Sequence, residues 1–196
     1  MSKPTQVVVL CEDLRTFLLV RGYLTRMSVN ARNIRANINK GGSGYDWVFR
    51  EYPTEVNSYL KQRNKYYKWL IVAIDGDQKS IAERIGQLKK TLDSCGNEDL
   101  KNLDLTREAI AQLIPCRNVE TWILALNSEE VNETTDYKNA PRRSADEWDT
   151  LRRTASNHLY NMSRPNAAPT DIIPSLKVGI TTLIRVEQLR AAQQNG

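Results

Sequence analysis

The stretch WLIVAIDGDQK, Trp69–Lys79, decides the fold that is predicted for this chain of 196 residues. It begins with an unbroken apolar run, Trp69–Ile74, which is rich in β-branched residues. A run of this kind, without polar alternation, predicts a strand that is buried on both faces. The run ends abruptly in Asp75-Gly76-Asp77, and extended backbone would direct both carboxylates to the same side. Such a pair indicates a divalent cation held by oxygen ligands, although Asp and Gly are also ordinary turn residues.

A second apolar run, near the N-terminus, is also followed by acids. Gln6–Cys11 predicts another buried strand, and Glu12 and Asp13 come directly after it. A helix is predicted next, over residues 14–25. The two acids therefore have an alternative interpretation, because negative charge in a first turn interacts favourably with the helix dipole.

Strand and helix patterns alternate along the rest of the chain. Shorter strand patterns cover residues 33–39 and 109–115, and helices are predicted over residues 45–62, 80–92, 116–126 and 144–160, with a closing helix to about residue 192. Pro53 is expected to break or restart its helix. Residues 93–104 are expected to form a surface loop, and residues 127–141 a loose polar loop. In the helix over residues 80–92, apolar periodicity predicts that Ile85 faces inward and Arg84 outward. Ser144 and Glu147 have capping-box spacing, and Ser175 is able to cap the closing helix. The glycines of residues 41–44 predict a flexible loop or, alternatively, a loop beside a substrate.

This alternation predicts an α/β fold with a mainly parallel sheet flanked by helices and joined by right-handed crossovers. Ligands of such folds bind at the carboxyl ends of the strands. Glu12, Asp75 and Asp77 all follow predicted strands, so we expect these three acids to meet at one edge of the sheet. That expectation strengthens the metal interpretation of the Asp-Gly-Asp segment.

Composition narrows the chemistry and the setting. A single histidine, His158, argues against a Ser-His-Asp triad or a histidine-rich metal site, so hydrolysis would have to rely on carboxylates. The three cysteines, Cys11, Cys95 and Cys116, have no paired spacing, which favours a reduced cytoplasm over disulfides or a zinc finger. No apolar run approaches membrane-spanning length and no signal-peptide core is evident. The net charge of +5 gives mild support to a polyanionic partner.

The acids and two later motifs resemble the Toprim fold of topoisomerases, primases and small nucleases. Glu12, Asp75 and Asp77 match its acidic positions. The segment from Pro115 through Glu120 to Trp122 is similar to a Pro-x-x-x-x-Glu-x-Trp motif of compact Toprim-like proteins, which include bacterial families linked to phage defence and related to overcoming-lysogenization-defect nucleases. Pro174-Ser-Leu-Lys177 stands where such chains carry a late lysine. On this resemblance, residues 1–126 form a Toprim-like α/β core, and residues 127–196 form a helical extension that packs on the core and completes the site.

The resemblance implies a Mg²⁺- or Mn²⁺-dependent nuclease, a hydrolase of phosphodiester bonds acting in antiviral defence. Glu12, Asp75 and Asp77 would bind the metal, with Glu120 as a further ligand or as a residue that orients one. Lys177 would neutralise charge on the scissile phosphate; its alternative is an ion pair with Asp171 or Glu187. The resemblance also implies a nucleic-acid substrate, with DNA favoured over RNA, and a partner ATPase. It leaves a homo-oligomer as an option.

Two features depart from the Toprim pattern. The glycine that usually follows the first-strand glutamate is missing, because Asp13-Leu14 follows Glu12 directly. A third acid of an Asp-x-Asp-x-Asp pattern is replaced by Lys79. These departures favour the nuclease branch over topoisomerases and primases, since Glu120 could supply the missing carboxylate.

Two basic regions are candidates for contacts with nucleic-acid phosphates, although such charges are usually only solvated. They contain Lys61, Arg63, Lys65 and Lys68 in the first region, and Arg142, Arg143, Arg152 and Arg153 in the second.

Two other classes of protein compete with the nuclease. A receiver-like signalling domain would use Glu12 and Asp13 to hold Mg²⁺, Asp75 to accept a phosphoryl group, and Lys177 as its late lysine. It leaves Asp77 and the Glu120 motif without a role. A non-catalytic Toprim-like binding protein is the other alternative.

Overall fold

A computed structural model of the chain describes residues 4–39, 41, 44–138, 142–164 and 172–195. Strands and helices alternate through most of this range. The elements in order are β1 (Thr5–Cys11), α1 (Leu14–Arg26), β2 (Ile34–Ile38), α2 (Gly44–Gln62), β3 (Tyr67–Ala73), α3 (Ile81–Ser94), α4 (Glu98–Lys101), β4 (Ile110–Leu113), α5 (Val119–Leu126), α6 (Ala145–Met162) and α7 (Pro174–Asn195).

The four strands form one parallel sheet in the order β2-β1-β3-β4. The two long apolar strands, β1 and β3, lie at its centre, and nearly all of their residues are buried. Cys11 pairs with Ala73, and Ala73 pairs with Leu113, so the carboxyl ends of three strands are level. The predicted α/β class, with a parallel sheet flanked by helices, is confirmed. The level strand ends bring the segments that follow β1, β3 and β4 to one edge.

Two local predictions differ from the structure. Pro53 lies inside α2 and does not end it, because Val48, Tyr52 and Val56 are buried on both sides of the proline and hold the helix on the core. The predicted surface loop over residues 93–104 contains the short helix α4.

The buried face of α3 also differs from its prediction. Apolar periodicity placed Ile85 inside and Arg84 outside, but Ile85 is 37% exposed and Arg84 only 3%. Arg84 lies between the buried Leu88 and the Asp75–Asp77 segment, where its guanidinium has hydrogen-bond acceptors. A charged side chain with such partners can occupy an inward position that the apolar pattern alone assigns to a hydrophobic residue.

The helices after residue 127 pack on the sheet layer. α6 contacts α1 and α5, and α7 contacts β4 and β3. The predicted capping box of α6 is present, with Ser144 and Glu147 bonded reciprocally. Arg185 of α7 donates to four backbone carbonyls, which belong to Leu105, Thr106, Glu108 and Ile110. This clamp joins the closing helix to the start of β4.

No helix in the described part of the chain is long and apolar enough to cross a membrane.

Candidate functional site

The acids that follow β1 and β3 lie in contact. Glu12 Oε1 accepts a hydrogen bond from the backbone N–H of Asp75 at 2.8 Å. The carboxylate after the first strand is therefore fixed on the backbone that carries the second acid. The structure thus brings together Glu12 and Asp75, two of the three acids that were expected at one edge of the sheet.

The Asp-Gly-Asp segment is held by the chain that leaves β4. The backbone N–H groups of Ile74, Gly76 and Asp77 donate to the carbonyls of Leu113, Pro115 and Arg117, respectively. A Cβ on Gly76 would lie only 3.1–3.2 Å from three backbone atoms of neighbouring segments. Asp77 adopts φ +53°, a left-handed conformation that Asp tolerates better than most residues. Glycine between the two acids thus lets β3 turn sharply against the β4 loop.

A second glycine forms a wall of the site. A Cβ on Gly44, the first residue of α2, would lie 2.7 Å from Glu12 Oε2 and 2.9 Å from Glu12 Cβ. The glycine cluster predicted as a loop therefore ends in a residue whose missing side chain leaves room for Glu12. Residues 42 and 43 of that cluster lie outside the described residues.

Asp75 is a buried acid without a hydrogen bond to one of its oxygens. Its exposure is 3%, and Oδ2 has no hydrogen-bond partner in the described parts of the chain. The ammonium of Lys138 lies 3.2 Å from this oxygen and forms an ion pair with it. Burial raises the pKa of Asp75 well above its usual range, and repulsion from Glu12 adds to this, while attraction to Lys138 opposes it.

Glu12 is perturbed in the same direction. Burial raises its pKa from 4.5 to about 7, and repulsion from Asp77 contributes to the increase. The hydrogen bond from the Asp75 backbone and the charge of Lys138 both lower it, but they do not compensate for burial. Two neighbouring carboxyl groups therefore disfavour simultaneous ionisation, which a bound cation would relieve.

Asp77 faces the outside of the site. Its side chain is 46% exposed and pairs with Arg84, whose Nη2 lies 2.7 Å from Asp77 Oδ2. Arg84 Nε also donates to the backbone carbonyl of Asp75 at 3.0 Å. The guanidinium lies over the rings of Tyr45 and Phe49 as well. Arg84 thus orients both acids of the Asp-Gly-Asp segment, although sequence periodicity had assigned it to solvent.

Glu120 lies in the first turn of α5, where Asn118 caps the helix. It is 4% exposed and forms an ion pair with Arg15, while its Oε2 lacks a hydrogen-bond partner within the described residues. The charge of Glu120 acts on Lys138, which places it in the electrostatic environment of the acids. Its expected role as a further ligand or as an orienting residue stays a prediction.

Lys138 is the residue of this site that the sequence did not reveal. Partial burial lowers its pKa, but attraction to Asp75, and also to Glu120 and Asp77, outweighs burial and raises it. The residue lies in the stretch predicted as a loose polar loop. No motif or periodicity in such a stretch could have indicated that one of its lysines approaches Glu12 and Asp75, which we call the acidic edge of the sheet.

Lys177, which was expected to neutralise charge on the scissile phosphate, is exposed in the first turn of α7. The predicted serine cap differs, because Ser175 Oγ accepts from Trp122 Nε1 and Ser175 N donates to Glu133. Of the two alternative partners of Lys177, Glu187 pairs with Arg164, and Asp171 lies outside the described residues. The lysine that contacts the predicted acids is Lys138.

Two clefts open on either side of Lys138. One, of about 590 Å³, adjoins Asp77 and is lined by Tyr45, Phe49, Arg84 and Arg117 among others. The other, of about 640 Å³, is lined by Glu120, Arg15, Leu14 and Trp148 among others. The first combines aromatic rings with guanidinium groups, which suits a ligand that has both flat apolar and anionic parts.

The basic residues predicted to contact phosphates are only partly available. Four of the eight have exposed side chains, namely Lys61, Lys65, Arg142 and Arg153. The other four are engaged within the fold.

Lys68 is the clearest case, because it is 5% exposed and its ammonium donates to Ser58 and Gln62. The tract of residues 61–68 spans the end of α2 and the start of β3, so its last lysine enters the sheet. The partners of the remaining three are Glu108 for Arg63, Glu129 for Arg143, and Asp149 for Arg152.

The donor set fits a divalent cation in part. The carboxylates offer the oxygen ligands that Mg²⁺ and Mn²⁺ prefer, and Asp75 Oδ2 and Glu120 Oε2 are buried oxygens without a hydrogen bond from the described residues. As placed, no group of three or more His, Cys, Asp or Glu side chains in the described ranges could hold a metal ion. Glu12 and Asp75 fit as two ligands. Asp77 or Glu120 could join them only by leaving Arg84 or Arg15.

Comparisons with protein-family models, with curated proteins and with solved structures found no match to this chain. The parallel sheet and its flanking helices are consistent with a Rossmann-like α/β fold.

Proposed function

We propose that this protein is a Toprim-like, metal-dependent nuclease that hydrolyses phosphodiester bonds of nucleic acid, with DNA favoured over RNA. The proposal is supported by the position of its acids at the carboxyl edge of a parallel sheet, where such folds bind ligands. The motifs around Glu12, Asp75, Asp77 and Glu120 support the class.

One observation carries the proposal most directly. Asp75 Oδ2 is buried beside a second carboxylate, that of Glu12, and its charge is balanced within the described ranges by the partly exposed Lys138 ammonium at 3.2 Å. Buried ionised oxygens are unfavourable unless a cation or hydrogen-bond donors compensate them. Both acids also have raised pKa values, caused first by burial. Perturbed carboxyl groups next to clefts are typical of functional sites.

Each residue of the site has a separate role in the proposed reaction. Glu12 and Asp75 would hold Mg²⁺ or Mn²⁺, which when bound would supply an activated water and neutralise charge on the phosphate. Asp77 and Glu120 are the acids available to complete the ligand set. Arg84 keeps the Asp-Gly-Asp segment in place through Asp77 and the Asp75 carbonyl.

The cleft next to Asp77 is the proposed substrate side. Tyr45 is 42% exposed and forms an edge-to-face pair with Phe49, so its ring is available to an unpaired base. Arg117 is only weakly paired, at 3.8 Å from Asp136, and can therefore contact a phosphate. A role in phage defence with a partner ATPase is part of the proposal and rests on the motif resemblance.

Cleavage of a supercoiled plasmid and of a labelled single strand tests this function. Purified protein with Mn²⁺ should nick or cut the substrate, and a chelator should abolish cleavage. Asp75→Asn and Glu12→Gln should both remove it without unfolding the protein. Glu130→Gln is the matched control, because Glu130 is an exposed acid on the loop after α5, and this variant should keep the wild-type rate.

A receiver-like domain remains the second candidate, because the strand order β2-β1-β3-β4 equals the first four strands of the flavodoxin-like order. Two observations argue against a receiver-like domain. The Asp13 carboxylate caps α1 by accepting from Thr16 N, and the Asp75 carboxylate that would be phosphorylated is buried. Incubation with labelled acetyl phosphate distinguishes the two functions, since only a receiver would incorporate phosphate at Asp75. Metal binding without cleavage or labelling would favour a non-catalytic binding protein.

A further inference from the structure

Lys138 occupies the place at the acidic edge where a bound cation would be expected. Its ammonium contacts the buried carboxylate of Asp75 at 3.2 Å, and the charges of Glu120 and Asp77 attract it as well. The other lysines considered for this site, Lys79 and Lys177, are exposed.

The segment that carries Lys138 is fastened next to the site. We call residues 129–138 the strap. Asp136 accepts a hydrogen bond from Asn118 Nδ2 at 2.8 Å and also pairs with Arg117. Asn118 is the cap residue of α5, the helix that carries Glu120. Asn118 therefore positions both the helix that carries Glu120 and Asp136 of the strap, which lies two residues before Lys138.

A second fastening lies earlier in the strap. Glu133 accepts a hydrogen bond from the backbone N–H of Ser175 at 2.7 Å, at the start of α7. The approach of Lys138 to Asp75 is therefore built from contacts to two helices and does not depend on the ion pair alone.

An ammonium and a divalent metal cannot both occupy the space beside Asp75 Oδ2. Each needs that oxygen, and the two cations repel each other at contact distance. The same geometry implies that the ammonium stabilises the acids when no metal is present. Metal binding would then replace the Lys138 ammonium beside Asp75 with the divalent metal.

We propose that Lys138 is the internal counter-ion of this site, which a divalent metal displaces and which then moves into the adjoining clefts. The proposal rests on the proposed function, because it requires that Glu12 and Asp75 bind a metal. Lys138 is therefore a positioning residue. It stabilises the carboxylates of the metal-free protein and, by competing with the metal, lowers the affinity of the site for metal.

Competition for one position has a definite signature. Removing Lys138 should strengthen metal binding, whereas removing a residue with a merely structural role would weaken or not affect it. Coupling between two ligands of one site is commonly worth about 5- to 150-fold in affinity. We expect the Lys138→Met variant to bind Mn²⁺ roughly tenfold more tightly than the wild type.

Calorimetric titration of Mn²⁺ into the full-length chain tests the proposal, with Lys79→Met and Lys177→Met as controls. Neither control lysine forms an ion pair with Glu12 or Asp75 in the described part of the chain, so screening by solvent should limit their effect to about twofold or less. A gain confined to Lys138→Met supports the proposal. Equal affinity in all variants would overturn it while leaving the proposed function in place, and no binding to any variant would overturn both.

A measurement on the wild-type protein keeps the proposal testable if Lys138→Met does not fold. A short pulse of acetic anhydride, read by mass spectrometry, reports the reactivity of each lysine. Mn²⁺ should raise the labelling of Lys138 severalfold relative to Lys79 and Lys177. Unchanged or reduced labelling of Lys138 at saturating Mn²⁺ would contradict its displacement.

Discussion

Replacing Glu12 with glutamine should change how the stability of the protein depends on pH. In the folded protein the pKa of Glu12 is raised to about 7, first by burial and then by repulsion from neighbouring acids. In the unfolded chain the same group has its ordinary value near 4.5. The folded state therefore binds more protons than the unfolded state between these two values, and the free energy of unfolding falls as pH rises through that window.

The size of the effect follows from the shift. Each pKa unit corresponds to about 1.4 kcal/mol, so the increase from 4.5 to about 7 amounts to about 3 kcal/mol of stability lost by pH 8. Glutamine keeps the shape of the side chain and an oxygen that can accept from Asp75 N, but it cannot ionise. Glu12→Gln should exceed the stability of the wild type by less than about 1 kcal/mol at pH 5 and by up to about 3 kcal/mol at pH 8.

Urea denaturation between pH 5 and pH 8, in buffer with a chelator, measures this difference. Glu130→Gln serves as the control, because it removes one carboxylate at an exposed position on the loop after α5. A Glu12→Gln difference that does not change with pH would show that Glu12 titrates as an ordinary carboxyl group. The electrostatic description of the acidic edge would then be wrong.

Three further predictions concern the fold and the surface. In a thermal unfolding assay, Gly44→Ala should destabilise the protein by about 1–3 kcal/mol, because its methyl group would displace Glu12, and it should also weaken Mn²⁺ binding. Gly86→Ala, on the open face of α3, should be neutral or stabilising in the same assay. Arg185→Ala should lower the free energy of unfolding by about 2–4 kcal/mol by leaving four carbonyls without their donor, and a loss below 1 kcal/mol would show that water replaces the clamp. Nucleic-acid binding, measured by fluorescence anisotropy, should weaken steeply between about 50 and 200 mM salt and depend little on sequence, so a flat salt dependence would exclude a phosphate-binding surface.

Much of the fold could be predicted because its signals are local. The apolar runs of β1 and β3 are long enough to identify buried strands, and their parallel arrangement follows from the helices between them. The meeting of Glu12 with Asp75 then follows from the level ends of neighbouring parallel strands. That step also needs the order and the register of the strands, which the structure supplies.

The remaining parts of the site depend on tertiary contacts that leave no local pattern. Arg84 is buried because Asp77 and the Asp75 carbonyl accept its hydrogen bonds, and an apolar periodicity cannot anticipate a paired charge. Lys138 reaches Asp75 because Asp136, two residues earlier, is bound by Asn118. Lys68 was assigned to the surface because the boundary between α2 and β3 divides a basic tract that looks continuous in sequence.

The most direct test of the central claim is a crystal structure of the protein soaked in Mn²⁺, with an anomalous difference map to locate the metal. We expect a Mn²⁺ peak at coordination distance, roughly 2.0–2.3 Å, from oxygens of both Glu12 and Asp75, with the Lys138 ammonium moved away from Asp75. A map with no peak at these carboxylates at saturating Mn²⁺, and Lys138 still paired with Asp75, would contradict the claim that this edge of the sheet is a metal site.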